Sequence, residues 1–359
     1  NVLWGGIALY DSEYLPHAKV VAEKGDQLAE CVAAGRKYGI EVHPWKVNWN
    51  LGRTTDEFKA QLAAEDRLQA DVKGETVAWL EPSDPRNLEL EVNTMVEMAR
   101  KYDVDGVHFD YIRYPGFDNG YSQAARERFE AALGQKVENW PDDVYRGKLK
   151  PQWIQWRCDN ISRLVQRVSE EVHRIKPGCR ISAAVFSNYP SCREQVSQDW
   201  AYWIEQGWLD FVCPMDYTES DPGFATTITN QLSHIQGRVP ICPGIGATAS
   251  NSTLAADRVA GQIELTREMG ADGFTIFNYS AGVSASILPG LRQGVLADDA
   301  VVAQRGPDYA FDLGPTSFDN VYGRLAKPGE TIEVTVAPVA PKPGLSDEVA
   351  GAKVILEDA

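Results

Sequence analysis

Long apolar runs are missing from this sequence. None approaches the roughly 18 consecutive apolar residues that a membrane-spanning helix needs, so no membrane span is expected. Basic charge is in deficit as well: 51 acidic residues stand against 35 Lys and Arg, a net charge of −16. That balance argues against a nucleic-acid backbone or an anionic membrane surface as partner, and it disfavours a strongly polyanionic substrate unless a local basic cleft overrides it. The six cysteines (Cys31, Cys158, Cys179, Cys192, Cys213, Cys242) show no CxxC and no zinc-ligand spacing. They read as mostly free, buried thiols, with one disulfide left open. There is no HxH and no HExxH, so no metal is expected. No GxGxxG turn follows a strand, and neither a P-loop nor a GxSxG elbow is present. Dinucleotide, phosphate-loop and serine-hydrolase chemistries lose their usual signatures, and no cofactor is expected. An initiator Met is absent too: Asn1 reads as the start of a processed or trimmed form, with any export signal outside it. No internal repeat is evident.

What the chain does have is material for a large core, with 43% hydrophobic and 24% charged residues. Ten Trp and fourteen Tyr supply flat apolar faces that suit sugar rings as well as cores. Short apolar strands alternate with helical periodicities, and candidate strands open at Val2, Ile40, Val77, Gly106, Arg180, Leu209, Val239 and Gly273. Helices are expected over Lys24–Tyr38, within Thr55–Val72, from Pro85 under a Ser83 or Asp84 cap, and near 121–133, 151–176, 199–206, 224–235 and 254–269. Eight strands with helices between them predict an α/β fold, a (β/α)8 TIM barrel over 1–296; an open doubly wound sheet is the competitor. After Leu296 the character changes. Gly329–Val336 alternates like a half-exposed strand and Lys353–Leu356 is apolar, so 297–359 reads as a small C-terminal β appendage or the truncated start of a β-sandwich.

The stretch Asp105-Gly106-Val107-His108-Phe109-Asp110-Tyr111-Ile112-Arg113-Tyr114-Pro115 organises the rest. Alternation puts His108 and Asp110 on one face and Val107, Phe109 and Tyr111 on the other. A carboxylate at such a strand end is where parallel α/β folds place chemistry. Asp216, closing Leu209–Thr218, repeats the placement. Two carboxylates flanking a bond are what glycoside hydrolysis needs: one ionised to attack or to activate water, one protonated to supply the leaving oxygen. Asp110 and Asp216 are the catalytic candidates, against the blander reading that each caps a strand or pairs with an arginine. Arg113 is a cation that could pair with Asp110 or lower its pKa. Glu81, Glu219 and Asp221 are loop carboxylates that could take the acid role instead. His43, Trp45, Lys46, Asn48, Trp49, His108, Arg113, Tyr114, Asn188, Tyr217, Asn278 and Tyr279 lie at or near strand ends and are the substrate-binding candidates. The histidines serve equally well as satisfied core residues, and each aromatic alone as packing.

The Asp105–Pro115 stretch resembles the D-G-(I/V)-H-F-D-x-x-x-Y-P signature of the glycosyl-hydrolase-like family 10. Three further segments resemble that family in the same order. They are Gly39-Ile40-Glu41-Val42-His43-Pro44-Trp45, Trp79-Leu80-Glu81-Pro82-Ser83-Asp84-Pro85 and Asp210-Phe211-Val212-Cys213-Pro214-Met215-Asp216-Tyr217. Gly273–Phe277 fits the eighth strand loosely, so the resemblance covers about 1–290. It implies a bacterial, exported (β/α)8 barrel acting on cell-wall glycans or other polysaccharides. The layout is similar to retaining α-galactosidases, which implies Asp110 as nucleophile on the fourth strand and Asp216 as acid/base on the sixth. The chain departs from the pattern at Asp216, where many relatives carry an uncharged polar residue, and at Ile112-Arg113. The reading is therefore a secreted or periplasmic glycoside hydrolase with an oligosaccharide or polysaccharide substrate. The rivals are a non-catalytic glycan-binding barrel and a metal-dependent hydrolase.

Overall fold

The computed structural model describes residues 2–297, 309–312 and 335–338. The chain divides into two compact units, 1–279 and 280–359, a boundary that precedes the composition change after Leu296.

In the first unit, β1 (Leu3–Trp4) turns back on β2 (Ile7–Ala8) and pairs in parallel with β3 (Trp45–Val47). Next come β4 (Leu68–Ala70), β5 (Thr76–Leu80), β6 (Gly106–Asp110), β7 (Arg180–Val185) and β8 (Phe211–Pro214). The sheet runs in the order β2-β1-β3-β6-β7-β8, every pair after β1 being parallel. A parallel bridge from Val212 to Ile241 carries it on to β9 (Gly244–Gly246). A small hairpin of β10 (Thr248–Ala249) and β11 (Ser252–Thr253) follows, and β12 (Thr275–Phe277) pairs in parallel with β9. The inner face curls far enough that Trp45 on β3 meets Phe277 on β12, ring centroids 6.1 Å apart. The fold is a mixed α/β, TIM-barrel type.

Register decides which side chains share the interior. Trp45 is level with His108, His108 with Ser182, and Ser182 with Phe211; one step on, Val47 is level with Asp110. The outward residues Val107, Phe109, Ile181, Ala183, Val185 and Val212 are fully buried beneath helices. Two helices do much of the covering, α4 (Pro85–Lys101) and α7 (Lys150–Ile175), numbered after α1 (Lys19–Lys24), α2 (Gln27–Tyr38), α3 (Asp56–Ala64), α5 (Gln123–Leu133) and α6 (Asp142–Tyr145). Asp84 caps α4 by accepting from the Arg86 N–H, and Pro85 occupies the first turn. Leu88, Val92, Met95 and Met98 then recur at helical spacing on the buried side. After α7 come α8 (Ser191–Val196), α9 (Trp200–Glu205), α10 (Asp221–Ile235) and α11 (Ala256–Glu268).

Three sequence expectations need correction. The third strand, Val77–Leu80, is no parallel neighbour of β3 and β6, which pair directly; it forms an antiparallel hairpin with β4. The cause is local. Asp71 Oδ1 accepts from the Lys73 and Glu75 N–H groups, and Gly74 takes φ +89°, closing a tight turn. Much of β5 also stays exposed, unlike a strand buried on both faces. The helix within 55–72 therefore stops at Ala64, and β4 occupies its second half. Finally, regular pairing in the second strand starts at Trp45, not at Ile40.

In the second unit, α12 (Ala281–Ser286) and α13 (Leu288–Gln293) are followed by β13 (Tyr309–Asp312) and β14 (Thr335–Pro338), an antiparallel pair. The apolar segment 353–356 and the first part of the 329–336 stretch lie outside the described residues.

Candidate active site

Asp110 ends β6 and is buried, 5% exposed. Tyr111 directly after it adopts φ +51°, a left-handed conformation uncommon for a non-glycine residue. That turn folds the Tyr111 N–H onto Asp110 Oδ1 at 2.7 Å. The Trp45 indole Nε1 donates to Oδ2 at 3.0 Å, so each carboxylate oxygen has one donor. Burial pushes the Asp110 carboxyl up to about 6, against the two hydrogen bonds and the nearby Arg113 charge, which favour the anion.

Asp216 lies two residues past β8, where Asp216 N donates to Pro214 O and the chain leaves the sheet. Gln231 on α10 donates to Oδ1 at 2.6 Å, while Oδ2 is buried with no partner among the described residues. With one donor and no charge partner, burial pushes this carboxyl up to about 7. Tyr217 follows Asp216 directly and feels the charge of both acids. Burial raises its hydroxyl pKa most, and the charges of Asp110 and of Asp216 both raise it further, which puts it within electrostatic reach of each. Its ring stacks on Phe277 (5.0 Å, 24°) and the side chain lies against β9, where a Cβ at Gly244 would come within 2.9 Å of the ring and one at Gly246 within 2.9 Å of the Tyr217 Cβ. Glycines at those two positions leave room for the tyrosine beside the strand.

The remaining candidates separate by position. Trp45, His108, Arg113, Tyr217 and Asn278 surround or adjoin the Asp110 end of the sheet. His108 Nδ1 pairs with Ser182 Oγ at 2.8 Å, and burial drives its pKa down to about 3, so it is a neutral wall. Asn278 Oδ1 accepts from the Thr248 hydroxyl. Arg113 Nη1 donates to the carbonyls of Tyr114 and Pro115. His43 does not join this group. It sits at the opposite, N-terminal end of the strands, packed edge-on to Phe211 and so tight on Gly106 that a Cβ there would lie 2.2 Å from its ring. Lys46 and Asn48 point outward to α4, where both contact Glu91 Oε2 at 2.6 Å. Trp49 and Tyr114 are core residues, and Tyr114 is covered by the Arg157 guanidinium at 4.2 Å. Asn188 is exposed and bonded to Gln195, and Tyr279 is 76% exposed. The expectation that Lys46, Asn48, Trp49, Tyr114 and His43 face the strand-end opening is corrected on these contacts.

Of the alternative acids, Glu81 is wholly buried, bonded to Ser83 and Tyr114, and pushed up to about 7 by desolvation. Glu219 accepts from the Thr253 N–H and Asp221 from Arg258 on α11. Among the described residues no three His, Cys, Asp or Glu side chains gather as a metal site would require. Sequence reasoning missed Gln231, Ser182 and Phe277. Gln231 lies in a helix distant in sequence from Asp216, and no motif marks it. Ser182 and Phe277 were recoverable from strand register alone.

Residues 1–245 match the family described as Glycosyl hydrolase-like 10. An S-layer-related protein of Niallia circulans is 25% identical over 279 residues, 62% of this chain and 17% of that protein. Glycosyl hydrolase DigH of Escherichia coli K12 is 25% identical over 247 residues, 59% of this chain and 52% of its own length. The chain thus spans about half of DigH and a smaller share of the S-layer-related protein. Among solved structures, the PgaB (BpsB) glycoside hydrolase domain from Bordetella bronchiseptica superposes with a TM-score of 0.64 at 13% identity, covering 80% of this chain and 83% of that one. Its likeness is one of fold. With the match running through both candidate aspartates, this chain belongs to the Glycosyl hydrolase-like 10 family.

Proposed function

We propose that the chain is an exported glycoside hydrolase that cleaves a polysaccharide or cell-wall glycan with two carboxyl groups and retention of configuration. The observation that carries the reading is the contrast between Asp110 and Asp216. Both are buried at C-terminal strand ends, yet Asp110 has two donors and a nearby arginine while Asp216 has one donor and a bare oxygen. Between about pH 6 and pH 7 the first is ionised and the second protonated, the division of labour that glycosidic cleavage uses. Asp110 Oδ attacks the anomeric carbon as Asp216 gives its proton to the leaving oxygen. Asp216, now a carboxylate, then takes a proton from water, whose oxygen displaces Asp110. Trp45 and Tyr111 hold the nucleophile's rotamer, and Tyr217 is within electrostatic reach of both acids. Membership of a glycosyl-hydrolase-like family and the barrel likeness support the reading. So does, for export, the similarity to an S-layer-related protein.

The test is product analysis against bacterial polysaccharides, algal polysaccharides and peptidoglycan glycan strands. Asp110→Asn is expected to lower turnover by about a thousandfold or more, and NMR of fresh product should show the substrate's anomeric configuration. Turnover within roughly tenfold of the unmodified protein removes Asp110 from the chemistry. Inverted product removes its role as nucleophile. Binding without turnover by the unmodified protein identifies a glycan-binding barrel instead.

A further inference from the structure

We infer that Trp79, Tyr111 and Phe186, gathered around Arg113, form a sugar-stacking subsite beside Asp110 that takes the apolar face of a pyranose ring; the inference rests on the glycan-directed reading above. The three aromatics come from separate places in the chain: β5, the turn after β6, and the residue following β7. Trp79 and Tyr111 lie nearly parallel, centroids 5.7 Å apart at 9°. The Arg113 guanidinium stands over all three rings, at 5.4 Å from Trp79, 4.5 Å from Tyr111 and 5.2 Å from Phe186. Trp49, Trp153, Trp200 and Trp203 are fully buried, whereas every member of this group keeps part of its surface in water. Partly exposed aromatic rings already held in place, Trp79 and Phe186 by packing on the core, can bind a sugar at little ordering cost.

Arg113 adds the polar half of such a site. Its two hydrogen bonds both leave from Nη1 and go to backbone carbonyls, and among the described residues Nη2 makes none. The wall therefore combines partly exposed aromatic rings with an uncommitted N–H edge. A pyranose offers the complement, C–H groups on one face and hydroxyls around its rim. The wall is also tied to the nucleophile, because the left-handed Tyr111 aims its ring at Trp79 and its N–H at Asp110 Oδ1. The departure of β5 from the parallel sheet brings Trp79 here. A ring seated on this wall adjoins the sugar under attack.

The test uses affinity electrophoresis of the full chain through gels containing hydroxyethyl cellulose, galactomannan or glycol chitin. It is run in an Asp110→Asn background so that binding is read without cleavage. At least one polymer should retard the protein; Trp79→Ala should weaken that retardation about tenfold, while Trp79→Phe, which keeps a flat face, should hold it within about threefold. A merely structural role would not show this rescue, and circular dichroism confirms that both variants fold. Retardation unchanged by Trp79→Ala overturns the subsite, as does the absence of retardation by any of the polymers. Trp79-dependent retardation by a polymer that the unmodified protein does not cleave over days upholds the subsite and overturns the hydrolase reading alone.

Discussion

Asp216 holds one oxygen against Gln231 and leaves the other, Oδ2, buried and bare. An ionised carboxylate there lacks the donors it would have in water, so the proton is retained to about pH 7 from an ordinary value of 3.8. The linkage follows directly. The raised pKa contributes stability that is fully present below about pH 4 and is lost as pH rises through about 7. Asp216→Asn, neutral at every pH, is therefore expected to raise Tm more at pH 8 than at pH 4.5, read by scanning fluorimetry. A shift equal at both values would show that Asp216 is not held protonated. Asp110 differs because its environment supplies donors, and Tyr111 takes a strained φ to provide one of them.

At the scale of an element, β3 shows both what a sequence reveals and what it hides. Alternation puts Trp45 and Lys46 on opposite faces, and Trp45 does reach Asp110. Lys46 and Asn48 sit close to the strand end, but proximity says nothing about the acceptor waiting on the other side, Glu91 on α4. The same limit applies to Tyr114, whose burial depends on Arg157 from α7. The stretch Asp105–Pro115 was legible because its strand, its carboxylate and its family pattern lie within eleven consecutive letters. The β4–β5 hairpin was not, since a short apolar run such as Val77–Leu80 fits a parallel strand equally well and the Asp71–Gly74 turn alone discriminates. The buried Lys46–Glu91 pair also carries a stability expectation. Glu91→Gln should cost about 3–5 kcal/mol in urea denaturation by stranding a buried cation, whereas Lys46→Met combined with Glu91→Met should cost less. A Glu91→Gln cost below about 1 kcal/mol would mean that water reaches Lys46.

Across the whole molecule, parallel pairing carries the C-terminal ends of β6 and β8 to one side of the sheet, and its curl brings Trp45, Phe277 and Tyr217 together beneath them. Two carboxyls far apart in sequence thus share the tyrosine that both influence. Their opposite protonation is measured most directly by kcat/KM against pH for the unmodified protein and Asp216→Asn, because that ratio reports groups of the free protein. The unmodified protein is expected to peak between about pH 6 and pH 7, falling on the acid side as Asp110 gains its proton and on the alkaline side as Asp216 loses its own. Asp216→Asn should be slowed by about a hundredfold or more and should lose the alkaline fall. An unchanged bell in that variant would contradict the assignment of Asp216 as the acid.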